Sequence, residues 1–288
     1  MKLKHILLLL TLSALWGSSF IFMRIAVPEI GILPVAFLRV GLGALLLLAY
    51  LQIIRKKLDW NKNFKHYFIV GLSNLAIPLS LFSFAAKHIP SAYSSILNAT
   101  VPFWTTLLAW GIYGEKITTR SFAGILLGIS GVAWISQAGT IVMGQNQILA
   151  FGGCLFATLC YGFSVNYIKR FAPHVSPILL TTGGLCVAGT VLLPLGMIDF
   201  PQHLPSTLGM ISILCLAAFC TVIAFLIFYY LAQEIGSTKA VLVTFLVPIF
   251  AGVWGMIFLH EELKPSMFIG AAMIFTGLRI VIMKKNTA

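Results

Sequence analysis

Two prolines lie inside long apolar stretches of this 288-residue chain, where proline chemistry disturbs a helix. Pro102 lies in the stretch VPFWTTLLAWGIYGE, and Pro248 lies in the similar stretch VPIFAGVWGMIFLHE. Proline has no N–H to donate and crowds the carbonyl group four residues back, so the helix bends and that carbonyl loses its partner. The two carbonyls belong to Asn98 and Thr244, and in lipid an unpaired carbonyl needs protein, water or a ligand. We therefore expect both kinks to face an interior cavity, although neighbouring helices could satisfy the carbonyls instead.

Polar and aromatic side chains also interrupt the apolar stretches. Serine and threonine in membrane helices commonly bond to their own backbone or join helices, whereas a buried asparagine is costlier and fits either a binding site or a packing contact. Aromatic rings could pack against each other or line a substrate site. With the two prolines, these side chains give the candidate substrate-binding residues, which are Trp16, Ser19, Phe20, Asn74, Pro78, Asn98, Pro102, Tyr161, Asn166, Tyr229, Thr244 and Pro248.

The acidic residues fall at the ends of the apolar stretches. No Asp or Glu lies at the middle of a stretch, so the sequence lacks the buried carboxylate that is usual in a proton relay. Glu115 and Glu261 end the two proline stretches, where they could cap helix ends at opposite membrane faces or form an acidic gate. Arg39 lies deeper, inside the second apolar stretch, and could pair with Glu29 or with a carboxylate on a substrate. Arg39, Glu115 and Glu261 are therefore candidate gating or helix-end residues.

Composition places these residues in a membrane protein. Hydrophobic residues make up 59% of the chain and charged residues 9%, against about 25% charged residues in soluble proteins. A stretch of about 20 apolar residues is long enough to cross the hydrocarbon core. The first stretch follows a basic start that imitates a secretory signal, but it continues to Val27, so we expect it to remain as a span. The sequence predicts ten spans, at residues 6–27, 33–54, 66–86, 91–113, 120–139, 148–168, 177–198, 207–232, 237–259 and 266–283.

The basic residues are distributed unevenly between the two membrane faces. The net charge is +12, and most Lys and Arg residues outside the spans fall at the termini or in loops after even-numbered spans. Because basic loops stay in the cytoplasm, we expect both termini to be cytoplasmic in a multi-pass protein of the plasma membrane, the bacterial inner membrane. The positive charge is then a topology signal. The expected partners are the lipid bilayer and a small-molecule substrate, and no nucleic acid.

The chain carries two copies of one pattern. At a shift of 146 residues, Pro102 matches Pro248 and Glu115 matches Glu261. Each copy holds five spans, residues 1–140 and 147–285, and an odd number of spans makes the second copy cross the membrane in the opposite sense. The predicted fold is therefore all-α and integral to the membrane, with ten transmembrane helices in two inverted five-helix repeats. Such repeats are common in secondary transporters, whose substrate sites lie near the midplane where the repeats meet.

Cysteine and glycine spacings indicate packing. The five cysteines contain no CxxC pair, so the sequence predicts no metal site, no disulfide framework and no cofactor. Gly124 and Gly128 have the GxxxG spacing that lets helices approach closely, and Gly131 follows them. Gly270 and Gly277 repeat this pattern in the tenth span. These small-residue faces could pack the fifth span on the tenth or form a homodimer contact.

The same residues resemble the EamA family of the drug/metabolite transporter superfamily across nearly the whole chain. The resemblance rests on ALWGSSF in the first span, on Pro34 followed by FLR ending at Arg39, and on the duplicated block from Ser91 through Pro102 and GEKIT to Gly131. It implies a ten-helix carrier whose central cavity is lined by spans one, three, four, six, eight and nine, with spans five and ten outside. Members of the family are similar in exporting small metabolites, amino acids or drugs by alternating access.

Five residues match the family pattern position by position, and two positions depart from it. The matching residues are Trp16, Pro102, Glu115, Pro248 and Glu261. Pro78 has Ala224 as its counterpart, and Tyr161 stands where a tryptophan is expected. The resemblance therefore implies a cavity that is not symmetric.

Other classes of function explain the sequence less well. A membrane enzyme would need catalytic groups near a membrane face, but the sequence has no HExxH, GxSxG, aspartate-rich cluster or phosphate-binding Gly-Lys loop. A channel would give no reason for inverted repeats with prolines at matching depth. Among carriers, the uncharged polar and aromatic lining favours export of amino acids or related zwitterions. The alternative is a multidrug or organic-cation exporter, for which a buried carboxylate would be usual.

Overall fold

The computed structural model describes residues 2–138, 144–236, 240 and 243–282 of the chain. All regular structure in these residues is helical. The helices are α1 (Leu3–Ile30), α2 (Ile32–Ile53), α3 (Trp60–His88), α4 (Ser91–Asn98), α5 (Val101–Tyr113), α6 (Thr119–Ala138), α7 (Gln145–Phe171), α8 (Pro177–Ile198), α9 (Thr207–Ile235), α10 (Val243–Leu259) and α11 (Pro265–Ile282).

The described helices confirm the predicted fold. The six helices α1, α2, α3, α7, α8 and α9 are each long and apolar enough to cross a membrane, and α10 and α11 are shorter apolar helices. α6 has 20 residues, and α4 and α5 together occupy the predicted fourth span. In the described part of the chain, the fold is therefore an all-α membrane bundle of ten spans, arranged as two inverted sets of five.

The fourth span is divided rather than bent, and Pro102 shows why. α4 ends at Asn98, and Pro102 is the second residue of α5. Proline is tolerated there because the first N–H groups of a helix have no partner within it. At the break, the backbone N–H of Thr100 donates to Leu97 at 3.0 Å, and the carbonyl of Thr100 accepts from Phe103 at 2.9 Å. The chain therefore satisfies these backbone groups with short turns in place of helical bonds.

The second copy differs from the first at the matching proline. Pro248 lies inside α10, which continues without a break from Val243 to Leu259. The predicted start of the ninth span includes residues 237–239 and 241–242, which lie outside the described residues. Where the chain is described, the two proline-containing helices are therefore not equivalent in shape.

Stretches of π-helix interrupt α3 and α9 at corresponding places. They cover Gly71–Ala76 and Ala218–Ile223, which begin 147 residues apart. Such stretches are rare and often lie at functional sites. Pro78 follows the first stretch, but Ala224 follows the second, so no shared sequence signal predicts both.

α6 and α11 pack backbone against backbone through glycine. A Cβ atom on Gly124 would lie 2.6 Å from the carbonyl oxygen of Gly277, and one on Gly131 would lie 2.7 Å from that of Gly270. A Cβ atom on Gly128 would meet the ring of Phe103 in α5. The glycines predicted to join the fifth and tenth spans therefore do so within one chain, and a homodimer contact through small residues stays a prediction.

The other helices pair in a way that mirrors the two halves. α1 packs along α10, and α7 packs along α5, while α2 packs on α8. We call the end of the bundle where the N terminus and Glu115 lie the terminal face. The opposite end, where Glu29 and Glu261 lie, is the distal face. The helices that carry the predicted site residues run from one face to the other.

Candidate functional site

Arg39 lies at the centre of the bundle, where three helices meet. Its side chain extends from α2, and the residue is 7% exposed. Nε donates to Oγ1 of Thr221 in α9 at 3.1 Å, and Nη1 donates to Oγ of Ser19 in α1 at 2.8 Å. Nη1 also lies 3.7 Å from Sδ of Met23. Because Thr221 is the middle residue of α9, the guanidinium group lies at mid-depth in the bundle.

The π-helical stretch of α9 orients the hydroxyl group of Thr221 so that it accepts a hydrogen bond from Arg39. Oγ1 of Thr221 donates to the carbonyl of Leu216, five residues back, at 2.8 Å, which is the spacing of a π-helix. Because its own proton is used in that bond, the hydroxyl oxygen accepts from Arg39. The local backbone thus fixes the direction of the contact.

One of the two partners predicted for Arg39 is wrong. Glu29 instead accepts from the backbone N and from Oγ of Ser206, at 2.7 and 2.9 Å, on the distal face. Ser206 precedes the first turn of α9, where unpartnered N–H groups and the helix dipole stabilise a carboxylate. Glu29 therefore lies at the distal end of its helix, away from the mid-depth position of the guanidinium group.

The charge of Arg39 is not matched within the described part of the chain. Its partners there are two hydroxyl groups and a thioether, and none is a carboxylate. The guanidinium group has five N–H donors, and in the described residues Nη2 has no hydrogen-bond partner. The site therefore contains a buried positive charge, and the two N–H groups of Nη2 are available to a ligand.

Three aromatic rings from α1, α3 and α7 form a connected group on the helices around this site. Phe20 meets Phe82 edge to face, with ring centroids 5.7 Å apart, and Phe82 stacks on Tyr161 at 6.2 Å. Ser83, next to Phe82 in α3, contacts Sδ of Met23 at 3.9 Å, and the same sulfur contacts Arg39. Aromatic faces attract cations such as an ammonium group. We call the group made of Ser19, Phe20, Arg39, Phe82, Tyr161 and Thr221 the Arg39 site.

Trp16 and Tyr229 border the Arg39 site through α9. Trp16 packs against Phe225 and Phe228, with ring centroids 6.3 and 5.6 Å apart. Tyr229 stacks on Phe225 at 5.9 Å and shares a hydrogen bond with Thr181 of α8. The structure thus places Trp16, Ser19, Phe20, Tyr161 and Tyr229 in one connected group. Thr221 and Phe82 complete it, although the sequence candidates did not include them.

Asn166 joins two helices. Its Nδ2 donates to the carbonyls of Thr105 at 2.9 Å and Gly162 at 3.0 Å. A Cβ atom on Gly162 would lie 2.8 Å from the backbone N of Thr105, so α7 and α5 touch at this point. These contacts favour the packing role for Asn166.

Asn98 and Pro102 lie at the break between α4 and α5. Oδ1 of Asn98 is buried and has no hydrogen-bond partner among the described residues. Pro102 is half-buried, and its carbonyl accepts from Oγ1 of Thr106 at 2.9 Å. A buried oxygen without a partner costs free energy, so Asn98 fits the binding role better than Asn166 does.

The other predicted residues lie along α3 and α10. Asn74 is half-buried in the π-helical stretch of α3, and Pro78 is buried just after it. In α10, Thr244 is half-buried and Pro248 is buried. A Cβ atom on Gly17 would lie 3.1 Å from the carbonyl oxygen of Val247, so α10 touches α1 next to Pro248.

Glu261 belongs to a buried polar cluster on the distal face. Its side chain is 7% exposed and lies 2.9 Å from Nε of Arg24. The carboxylate also accepts from the backbone N of Ser91 at 3.1 Å and from Oγ of Ser91 at 2.5 Å. Arg24 donates in addition to the carbonyls of Ala86 and Ile89, both at 2.9 Å. The cluster joins the ends of α1, α3, α4 and α10.

On the terminal face, Glu115 forms the ion pair that is equivalent to this cluster, and this pair is exposed. Its side chain is 44% exposed and accepts from Arg170 at 2.9 Å and from Lys169 at 3.3 Å. The hydrogen bond and charge of Lys169, with those of Arg170, lower the pKa of Glu115. Arg24 matches Lys169 at a shift of 145 residues. That match is the sequence signal from which both ion pairs could have been predicted.

Two small cavities lie away from the Arg39 site. One, of about 160 Å³, is lined by Thr105, Glu115, Asn166 and Lys169 among others, near the terminal face. The other, of about 170 Å³, is apolar and lies between α5, α6 and α7. In the described residues, no group of three His, Cys, Asp or Glu side chains could hold a metal ion.

The bundle defines the class of protein. Ten helices in two inverted sets of five are an arrangement common among transporters. The sequence model of the EamA-like transporter family matches residues 3–137 and 148–283. The chain therefore belongs to the EamA family of the drug/metabolite transporter superfamily, and its family and relatives indicate a transporter.

Relatives and solved structures are similar over nearly the whole chain. The uncharacterized transporter YoaV of Bacillus subtilis strain 168 is 24% identical over 280 residues, which cover 96% of this chain and 95% of that protein. The uncharacterized inner membrane transporter YedA of Escherichia coli K12 is 24% identical, covering 96% and 90%. A solved crystal structure matches with a TM-score of 0.66 at 17% identity, covering 98% and 99%. That likeness concerns the fold alone.

Proposed function

We propose that this protein is a secondary transporter of the bacterial inner membrane that exports amino acids or related zwitterions by alternating access. The observation that carries the proposal is the composition of the Arg39 site. It offers one buried positive charge, hydroxyl groups and aromatic rings, and in its described residues it holds no carboxylate. A zwitterion has a negative group for the arginine and a positive group for the rings.

The same charge disfavours the alternative, a multidrug or organic-cation exporter. An organic cation at mid-depth would approach Arg39 in a medium of low dielectric constant, where like charges repel strongly. Membrane sites for cations usually contain a carboxylate, and the described carboxylates lie at helix ends. A channel remains the least supported possibility, since the helices meet in a packed, buried site.

Alternating access is supported by the two equivalent ion pairs. Glu261 with Arg24 is buried on the distal face, whereas Glu115 with its basic partners is exposed on the terminal face. Alternating access in inverted-repeat carriers is largely a rigid movement of one repeat against the other around a fixed site. The inner-membrane location is supported by the positive loops and by the similarity to YedA, an inner membrane transporter.

The test is counterflow in proteoliposomes. Vesicles are loaded singly with unlabelled amino acids, and a labelled trace of the same amino acid is added outside. We expect saturable accumulation of one or a few amino acids, reduced in Asn98→Ala and Pro102→Ala. Ser13→Ala is the matched control, because Ser13 is buried in α1 but bonds only to the carbonyl of Leu9 in its own helix. Accumulation of an organic-cation dye with no amino acid accumulating would overturn the proposal in favour of the alternative.

A further inference from the structure

Burying the charged side chain of Arg39 costs free energy. An arginine stays protonated in proteins, so it has no route to neutrality. A charged side chain at mid-depth in a membrane is rare and commonly marks a substrate or ion site. Here the described partners are Ser19, Thr221 and Met23, which carry no negative charge. The compensating charge is therefore missing from the described chain.

Two arginines nearer the helix ends have carboxylate partners. Arg24 has Glu261 at 2.9 Å, and Arg170 has Glu115 at 2.9 Å. Both pairs lie nearer to water than Arg39, where an unmatched charge would cost less. The chain thus pairs these two arginines with carboxylates and leaves the more deeply buried Arg39 without a carboxylate partner in the described residues.

The contacts of Arg39 leave one edge of the guanidinium group for a ligand. Ser19 and Thr221 hold Nη1 and Nε from two helices, which fixes the plane of the group. Nη2 has no hydrogen-bond partner in the described residues, and the third contact of the group is the thioether of Met23, a weak acceptor at 3.7 Å. A carboxylate that accepted from Nη2 and replaced Met23 as a partner of Nη1 would gain a two-bond arrangement.

We propose that Arg39 binds the carboxylate of the transported molecule, and that the carboxylate is the group this carrier requires. The inference rests on the proposed transport function and narrows its substrate class to small molecules with one carboxylate. The ammonium group of an amino acid would lie at the rings of Phe20, Phe82 and Tyr161 and add affinity. A monocarboxylate without an amino group therefore also binds, whereas the corresponding amide does not.

Thermal unfolding of the purified wild type in detergent tests this without any substitution. The twenty amino acids are added singly, and the one that raises Tm most is compared with its amide and with its deaminated acid. We expect the amino acid and the deaminated acid to raise Tm and the amide to leave it unchanged. An equal rise with the amide, or no rise with any carboxylate, would overturn the proposal.

Variants of Arg39 separate ligand binding from a purely structural role. Arg39→Gln should weaken the apparent affinity for the carboxylate ligands by at least about tenfold, since a charge-assisted hydrogen bond is lost. Arg39→Lys keeps the charge without the planar fork, so its affinity should fall between the two. Ser13→Ala should behave as wild type. If Arg39→Gln lowers Tm but keeps the same preference of acid over amide, the arginine is a structural clamp and the proposal fails.

Counterflow with the same compounds distinguishes the two proposals. If carboxylates raise Tm through Arg39 but no amino acid exchanges across the vesicle membrane, the amino-acid transport proposal fails and the carboxylate site stands. If an amino acid and its amide exchange equally well, the carboxylate site fails and transport stands.

Discussion

Glu261 and Glu115 occupy equivalent positions in the two halves of the chain, yet their surroundings differ. The side chain of Glu261 is 7% exposed, and it binds Arg24 together with the N–H and O–H groups of Ser91. The side chain of Glu115 is 44% exposed and binds two basic side chains that themselves reach solvent. The same sequence pattern thus gives a buried polar cluster on the distal face and a surface ion pair on the terminal face.

The difference comes from the partner that each carboxylate meets. Glu261 accepts from the start of α4, an eight-residue helix in which Ser91 to Leu97 are all buried. α4 exists as a separate helix because the chain breaks before Pro102. Glu115 meets side chains only, in the described part of the chain, and side-chain pairs in water contribute little. Residues at equivalent positions in the two halves can therefore contribute unequally to the free energy of unfolding, because the contribution of each pair depends on its burial.

The largest effect is expected for Glu261→Gln. The amide keeps the shape but removes the buried carboxylate charge that pairs with Arg24 and accepts from Ser91, so the free energy of unfolding should fall by about 2 to 3 kcal/mol. Equilibrium unfolding in detergent measures this. Glu262→Gln is the matched control, because the neighbouring side chain is exposed. A loss below about 0.5 kcal/mol, the size of a surface pair, would erase the contrast with Glu115.

The same variant addresses whether Glu261 caps helices or gates transport. A cap contributes to stability alone, so counterflow per folded molecule should change less than about twofold, a difference below 0.5 kcal/mol in the barrier. The assay is run at a temperature where both proteins are folded. A tenfold change in rate would assign a gating role to the distal cluster instead.

A smaller effect is expected for Ser91→Ala. This change removes the O–H donor at 2.5 Å but leaves the backbone N–H at 3.1 Å. The free energy of unfolding should fall by about 1 kcal/mol, the usual contribution of one hydrogen bond. Ser130→Ala serves as the control, because Ser130 is exposed and bonds to Leu126 in its own helix. If Ser91→Ala matched Glu261→Gln in size, the hydroxyl rather than the charge would dominate the distal cluster.

Glu115→Gln should cost less again. The pair is largely exposed, so its loss should lower the free energy of unfolding by about 0.5 kcal/mol. In about 1 M salt the difference from wild type should vanish, because screening acts over about 3 Å there. Glu261→Gln should keep most of its effect in the same salt, since burial shields that cluster. A salt response of equal size in both variants would contradict the assigned difference in burial.

Much of the fold could be predicted because lipid imposes strong rules on sequence. The apolar stretches predicted the helices, and the matched glycines predicted the contact of Gly124 with Gly277. Pro102 predicted a disturbance in the fourth span, but a bend and a break leave the same sequence pattern. The structure shows a break, because α4 ends at Asn98 and α5 begins at Val101.

The candidate site was predicted only in part. Trp16, Ser19, Phe20 and Tyr161 are polar or aromatic residues within apolar stretches, and they do lie together. Thr221 was not among the candidates, because its contact with Arg39 depends on a π-helical stretch without a clear sequence signal. Spacing within a single helix does not show which charged residues meet, so the sequence allows a pair of Arg39 with Glu29, whereas in the structure Glu29 binds Ser206.

The smallest effect is the pH dependence of stability that comes from the ion pair of Glu115 on the terminal face. The hydrogen bond and charge of Lys169, then those of Arg170, hold the pKa of Glu115 below its ordinary value of 4.5. Because the folded pKa is lower than the unfolded one, the pair contributes stability above pH 4.5, and this contribution is lost as the pH falls through the lowered pKa. The difference in unfolding free energy between wild type and Glu115→Gln should therefore be constant near neutral pH and shrink to zero on acidification. Unfolding at a series of pH values measures it. A difference that grew in acid would mean that the folded chain disfavours the charged form of Glu115, contrary to the contacts with Lys169 and Arg170.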